Sequence, residues 1–297
     1  MDDVIRGLWV AVATPLDAAG AVDHAALVKH CHWLLENDCD GLSLFGTTGE
    51  GPSFAATEKL AATEALLAAG IPAERIQLGT GCPALPETIS LCRKTMALGV
   101  RHVLVLPPYY YRDVNEEGLE NALAAIVEGT ASDEARFTFY HIPQVSGVPV
   151  PAKALGRLRA RFGVVVAGVK DSTGSMESFR AFRAEAPDCG TVVGLETHIA
   201  RAGALGGTGS INGMSNVTPK LVRAMFGRDG AEAPMQKACD LMAGYIFPAV
   251  VKATIAARTG IASWRAVRPP LRPVDESVGA RNAAAIAALE AEFFGRG

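Results

Sequence analysis

The stretch VVVAGVKDST, residues 164–173, decides how the chain is read. Its first six residues are Val or Ala except for Gly168, and Lys170 follows. A short apolar run bounded by polar residues predicts a buried strand. Lysine is seldom buried, so a lysine ending such a strand is either in water or held out of it for a reason.

Seven further segments resemble this one: GLWVAVATPL (7–16), GLSLFG (41–46), RIQLGTG (75–81), HVLVLP (102–107), RFTFYHI (136–142), TVVGLE (191–196) and GTGSING (207–213). Amphipathic stretches lie between them, at 23–37, 57–69, 86–98, 116–129, 151–160 and 175–185. Asp23, Asn115 and Thr218 stand where helix N-caps belong, and Pro86, Pro151 and Pro219 suit a first helical position. Strands alternating with helices imply parallel pairing through crossover helices. Eight such units predict an α/β fold, a (β/α)₈ TIM barrel over residues 1–230. Residues 231–297 exceed what the barrel needs and are helical in pattern, with a Pro-rich connection at 267–277. A span of about 65 residues makes a marginal core alone, so it is expected to be an appendage of the barrel.

Composition narrows the function classes. The chain has 297 residues, 49% of them hydrophobic, and a net charge of −3 with acids and bases interspersed. No basic stripe suggests nucleic acid, and no apolar run reaches the roughly 20 residues that span a bilayer. MDDVIRGLWV carries acids where a secretory signal carries Lys or Arg. Six scattered cysteines without a C-x-x-C pair read as reduced thiols, and a cytoplasmic protein is expected. No G-x-G-x-x-G follows a strand, no Cys/His cluster has metal-ligand spacing, and no G-x-S-x-G elbow is present. Neither a metal nor another cofactor is expected.

In a (β/α)₈ barrel the active site lies at the C-terminal ends of the strands. Those ends read FGTTGEGPS, PPYYYRD, FYHIPQVSG, VKDST, GLETH and GSINGMSN. Lys170 is the expected nucleophile. Burial disfavours a charged ammonium, and a neutral amine attacks a carbonyl to give a Schiff base. Side chains alternate along a strand, so Gly168 is expected one layer below Lys170, leaving room for its stem. Tyr140 suits a proton shuttle. The GTTGEG turn (46–51) offers N–H groups and the hydroxyls of Thr47 and Thr48 to a small carboxylate, with Gly49 allowing close approach. Three consecutive tyrosines, 109–111, cannot all face one core, and at least one is expected to face outward toward a partner subunit.

GTTGEG, PPYYY, YHIPQVSGV and VKDST, in this order and at these strand ends, resemble the dihydrodipicolinate synthase / N-acetylneuraminate lyase superfamily of pyruvate-handling class I aldolases. The similarity extends to GTGSINGMSN and to RPPL in the C-terminal part. The resemblance implies that Lys170 forms the Schiff base, that Tyr140 relays protons, and that Thr47 and Thr48 hold the pyruvate carboxylate. It implies that Tyr110 or Tyr111 is lent to a neighbouring subunit in a homotetramer built as a dimer of dimers. The Ile211 carbonyl would face the site, with Asn212 beside it. Synthases of the superfamily usually carry Y-N-V-P-x-R, whose arginine binds the second substrate's carboxylate; Val145 stands there in this chain. The continuation V-S-G-V is similar to the lyase branch. Gly194, Glu196, Thr197 and His198 of the strand 7 loop are then expected to meet a polyhydroxylated substrate. Arg112 and His141 are candidates for an anionic group at its far end.

The expected activity is cleavage of a 2-keto-3-deoxy sugar acid to pyruvate and a short aldehyde. The alternatives are condensation of pyruvate with aspartate semialdehyde by a 4-hydroxy-tetrahydrodipicolinate synthase, a sugar-acid dehydratase using the same Schiff base, and a barrel that only binds a 2-oxo acid.

Overall fold

The structure is a computed structural model that describes residues 3–295. Eight strands, β1 (Gly7–Ala11), β2 (Gly41–Leu44), β3 (Ile76–Gly79), β4 (His102–Val105), β5 (Arg136–His141), β6 (Val166–Asp171), β7 (Gly190–Val193) and β8 (Gly209–Asn212), follow one another in a closed barrel. Pairing from β3 through β8 is parallel, with helices between successive strands. The expected TIM barrel is therefore present. No helix among the described residues is long and apolar enough to cross a membrane.

The chain forms two compact units. One comprises the described residues through Trp9 together with Pro72–Ile211; the other comprises Val10–Ile71 together with the described residues from Asn212 onward.

In the first unit, strand alternation sorts the side chains. Val103, Val105, Phe137, Phe139, Val166 and Val169 join Leu123, Leu155, Leu158 and Phe182 of the helices in one apolar cluster. Leu104, Tyr140 and Ile142 form a separate cluster on the opposite strand face. Strict alternation along β6 would put Val166 and Val169 on opposite faces, yet both join the helix-side cluster. The pairing explains this. Phe137 pairs with Val166, but Thr138 pairs with Gly168, so one residue of β6 is left over. Such a bulge re-aims every later side chain of its strand. Tyr140 then pairs with Lys170, and His141 with Asp171.

Gly168 does lie two residues before Lys170 on the same face, but the demand for glycine comes from elsewhere. It pairs with Gly190 of β7, and a Cβ at 168 would sit 2.1 Å from the Gly190 carbonyl oxygen. Backbone approach, rather than clearance for the lysine stem, excludes a side chain. β6 also starts later than the apolar run suggests, because Gly163–Val165 forms a 3₁₀ turn.

In the second unit, Asp23 caps the helix His24–Glu36 by accepting from the Ala26 N–H at 3.0 Å. The helices Glu232–Asp240, Phe247–Thr259 and Glu276–Phe294 make up most of the C-terminal span; its last two residues lie outside the described ones. Gly279 lets two of these helices meet, since a Cβ there would lie 2.4 Å from the Ala253 carbonyl oxygen. Asn115 in the first unit also caps as expected. Thr218 stands before the helix Pro219–Ala224 but donates its hydroxyl to Glu290 at 2.7 Å. Pro151 occupies the N-cap position, and Pro86 is the second residue of its helix.

Gly168→Ala is expected to destabilise the protein by about 1–3 kcal/mol through overpacking against β7. Urea unfolding measures it, and an unchanged midpoint would contradict the close approach.

Candidate active site

The first unit brings Lys170 and Tyr140 together. Both are almost fully buried, at 3% and 4% exposure. They are register partners at the C-terminal ends of β6 and β5, and the lysine Nζ lies 4.2 Å from the centroid of the tyrosine ring. An ammonium over a ring face is held by the ring quadrupole, and more strongly when desolvated. The lysine side chain and the phenol are thus placed side by side out of solvent, an arrangement suited to imine chemistry.

His141 must be corrected. It follows Tyr140, so alternation turns it to the helix side. Its ring meets Phe182 edge-to-face at 5.2 Å, and its Nδ1 accepts the Val150 N–H at 2.9 Å. Burial pushes its imidazole below the ordinary value, against the pull of Asp171. An imidazole so engaged braces the start of the segment after β5 and is not directed at a substrate.

The loop after β5 is tied to β6 by Gln144, whose Nε2 donates to the Ser172 carbonyl at 2.7 Å. Val145 on that loop is 60% exposed. Gly147 closes the loop in the left-handed region at φ 72°, and a Cβ on it would lie 2.8 Å from the Arg112 Nε. Arg112 therefore lies against the loop where the superfamily's synthases carry their arginine. Tyr110 and Tyr111 are about three-quarters exposed and pack edge-to-face at 5.2 Å.

After β7, Gly194 is required because a Cβ would meet the Ser172 Oγ at 1.9 Å; its N–H donates to the Asp171 carbonyl at 2.8 Å. Glu196 is buried in the 3₁₀ turn Glu196–His198, while Thr197 and His198 are half-buried. Burial, with Arg201 nearby, lowers the His198 imidazole. Ile211 of β8 is fully buried.

The second unit holds the GTTGEG turn. Thr48 is buried and Thr47 half-buried. The Gly49 carbonyl accepts the Thr14 hydroxyl at 2.9 Å, and a Cβ at Gly49 would lie 2.6 Å from the Val12 carbonyl oxygen. A Cβ at Gly213 would come within 2.9 Å of the Thr48 Oγ1, so the chain after β8 passes close to that hydroxyl. Asn212 turns its Oδ1 to the N–H and hydroxyl of Ser215, at 3.1 and 2.8 Å.

Sequence reasoning missed one neighbour of this turn. Glu50 forms a fully buried ion pair with Lys252 at 2.7 Å. The signal was present: FPAVVKATIA, residues 247–256, carries one charge in an otherwise nearly apolar helical run, which calls for a buried partner.

A closed parallel barrel with a buried lysine and tyrosine at adjacent strand ends is an arrangement suited to an enzyme of carbonyl chemistry. The family model of the dihydrodipicolinate synthetase family matches residues 4–289. An uncharacterized DapA-like lyase of Chloroflexus aurantiacus is 35% identical over 288 residues, covering 94% of this chain and 95% of that protein. A 4-hydroxy-tetrahydrodipicolinate synthase of Synechococcus sp. is 30% identical over 94% of this chain and 93% of its own. The crystal structure of dihydrodipicolinate synthase from Agrobacterium tumefaciens superposes with a TM-score of 0.90 at 31% identity, covering 96% of this chain and 99% of that one. The chain belongs to the dihydrodipicolinate synthetase family, and with it to the pyruvate-dependent enzymes of lyase and synthase type.

His141→Phe tests the corrected placement. It strands the Val150 N–H and is expected to cost about 1–3 kcal/mol of stability. KM for the aldol substrate should stay within about twofold, because the ring faces the helix layer. A large rise in KM with the fold intact would return His141 to the substrate.

Proposed function

We propose that the protein is a Schiff-base aldolase that cleaves a 2-keto-3-deoxy sugar acid to pyruvate and a short aldehyde. The observation that carries the reading is the buried register pair of Lys170 and Tyr140. The Lys170 amine adds to the C2 carbonyl, and loss of water gives the imine. Tyr140 takes the proton of the C4 hydroxyl, the C3–C4 bond breaks, and its electron pair enters the imine as an enamine. Protonation at C3 and hydrolysis release pyruvate and restore the lysine. All electrons stay within substrate and imine, so the chemistry calls for no resident cofactor.

The remaining roles follow the family motif. Thr47, Thr48 and the N–H groups around Gly49 receive the pyruvate carboxylate. The Ile211 carbonyl and Asn212 belong with the pyruvate end, and Gly194, Glu196, Thr197 and His198 with the sugar hydroxyls. Tyr110 and Tyr111, exposed in the single chain, suit burial against a second copy in a tetramer.

Val145 argues against the synthase alternative, since valine cannot pair a carboxylate. Its exposure and the nearby Arg112 guanidinium suggest instead that a cation reaches this loop from the segment after β4. The substrate's far end would then carry an anionic group. The names of the synthase relatives favour the second reading, condensation of pyruvate with aspartate semialdehyde. A sugar-acid dehydratase would use the same imine.

A panel of 2-keto-3-deoxy sugar acids, followed by pyruvate release, tests the reading. Release is expected from sugar acids, and condensation with aspartate semialdehyde as the only activity would overturn it. Arg112→Ala is expected to raise KM about tenfold for substrates with an anionic terminus and to leave uncharged ones unaltered, as loss of one charged hydrogen bond would. Equal effects on both would remove Arg112 from recognition.

A further inference from the structure

The turn that carries Thr47 and Thr48 is bracketed by two non-glycine residues in the left-handed region, Phe45 at φ 53° and Glu50 at φ 56°. Such conformations persist only where the surroundings over-determine them. The turn's own hydrogen bonds supply part of the restraint: Glu50 N–H to the Thr47 carbonyl at 3.1 Å, and Gly51 N–H to the Gly46 carbonyl at 3.0 Å. The rest comes from the C-terminal part of the chain.

Both carboxylate oxygens of Glu50 are gripped from there. Oε1 accepts from the Lys252 Nζ at 2.7 Å, with neither side chain exposed, and Oε2 accepts from the Arg268 backbone N–H at 2.9 Å. Arg268 is itself pinned. Its guanidinium forms an ion pair with Glu58, donates to the carbonyls of Ser53 and Gly20 at 2.8 Å each, and lies 4.1 Å from the centroid of the Phe54 ring. Phe54 in turn packs edge-to-face on Phe45 at 5.2 Å. The two left-handed residues are thus held by one connected set of contacts, running from Lys252 and Arg268 to Glu50 and through Phe54 to Phe45.

A buried ion pair is weak as a source of stability, because desolvating two charges consumes most of their attraction. It does fix geometry: a carboxylate with both oxygens engaged cannot shift without stranding a buried charge. We infer that Lys252 and Arg268 are positioning residues that hold the Thr47–Thr48 turn, through Glu50, in its ligand-binding shape. This rests on the assignment of that turn to the pyruvate carboxylate. The C-terminal segment would thereby set affinity for the 2-oxo acid without touching it.

The test measures the pyruvate concentration that gives half-maximal borohydride-trapped adduct, by intact mass, on the full chain. Lys252→Met is expected to raise it about tenfold while the adduct yield at saturating pyruvate stays at the wild-type level. The double variant Glu50→Gln/Lys252→Met removes the stranded charge. Its melting temperature should recover relative to Lys252→Met, yet its half-saturation should stay raised, which a purely structural pair would not produce. Glu58→Gln loosens Arg268 from outside and is expected to give a smaller rise of about two- to threefold, readable even if Lys252→Met fails to fold. Wild-type half-saturation in both the double variant and Glu58→Gln would overturn the inference. Absence of any adduct in the wild-type protein would overturn the underlying assignment instead.

Discussion

The register between β5 and β6 is the constraint on which the placement of Lys170 beside Tyr140 depends. Without the single left-over residue of β6, Lys170 would pair with His141 and face the helices. With it, Lys170 pairs with Tyr140 on the face that also carries Leu104 and Ile142. Val166 and Val169 still reach the helix-side cluster, so the apolar core is complete despite the irregularity. Just past the left-over residue, Gly168 meets the Gly190 backbone of β7 more closely than a side chain allows. A local fault in pairing thus brings the amine and the phenol together.

The second unit addresses a different physical problem. Its GTTGEG turn is flanked by Phe45 and includes Glu50, both in a backbone shape that few residues adopt. A buried ion pair grips Glu50 there. Lys252 has a carboxylate partner at 2.7 Å and is held. Lys170 lies instead against an aromatic face. Lys170 and Lys252 therefore differ in what stands opposite them, and under the proposed function that difference separates a nucleophile from an anchor.

Much of this was legible in the residues. Eight apolar runs alternating with helical patterns gave the barrel, because each carries its own periodicity. That Lys170 and Tyr140 lie together was legible because neighbouring strand ends in such a barrel share an edge. The parity of β6 was not, since V-V-V-A-G-V is apolar on both faces and has no alternation to read. His141 was misplaced although its side was legible: it follows Tyr140, and alternation along β5 turns the next residue to the helix side. The role of Gly168 was misread because its constraint comes from Gly190, 22 positions away by residue number. The Glu50–Lys252 link spans 202 positions and joins two motifs that look independent in the sequence.

The central claim is that one lysine, set by the β5–β6 register, carries the chemistry. Peptide mass mapping of the protein reduced with borohydride in the presence of pyruvate tests it most directly. The account predicts a single pyruvyl group, on the peptide that contains Lys170. A pyruvyl group on any other lysine would contradict it.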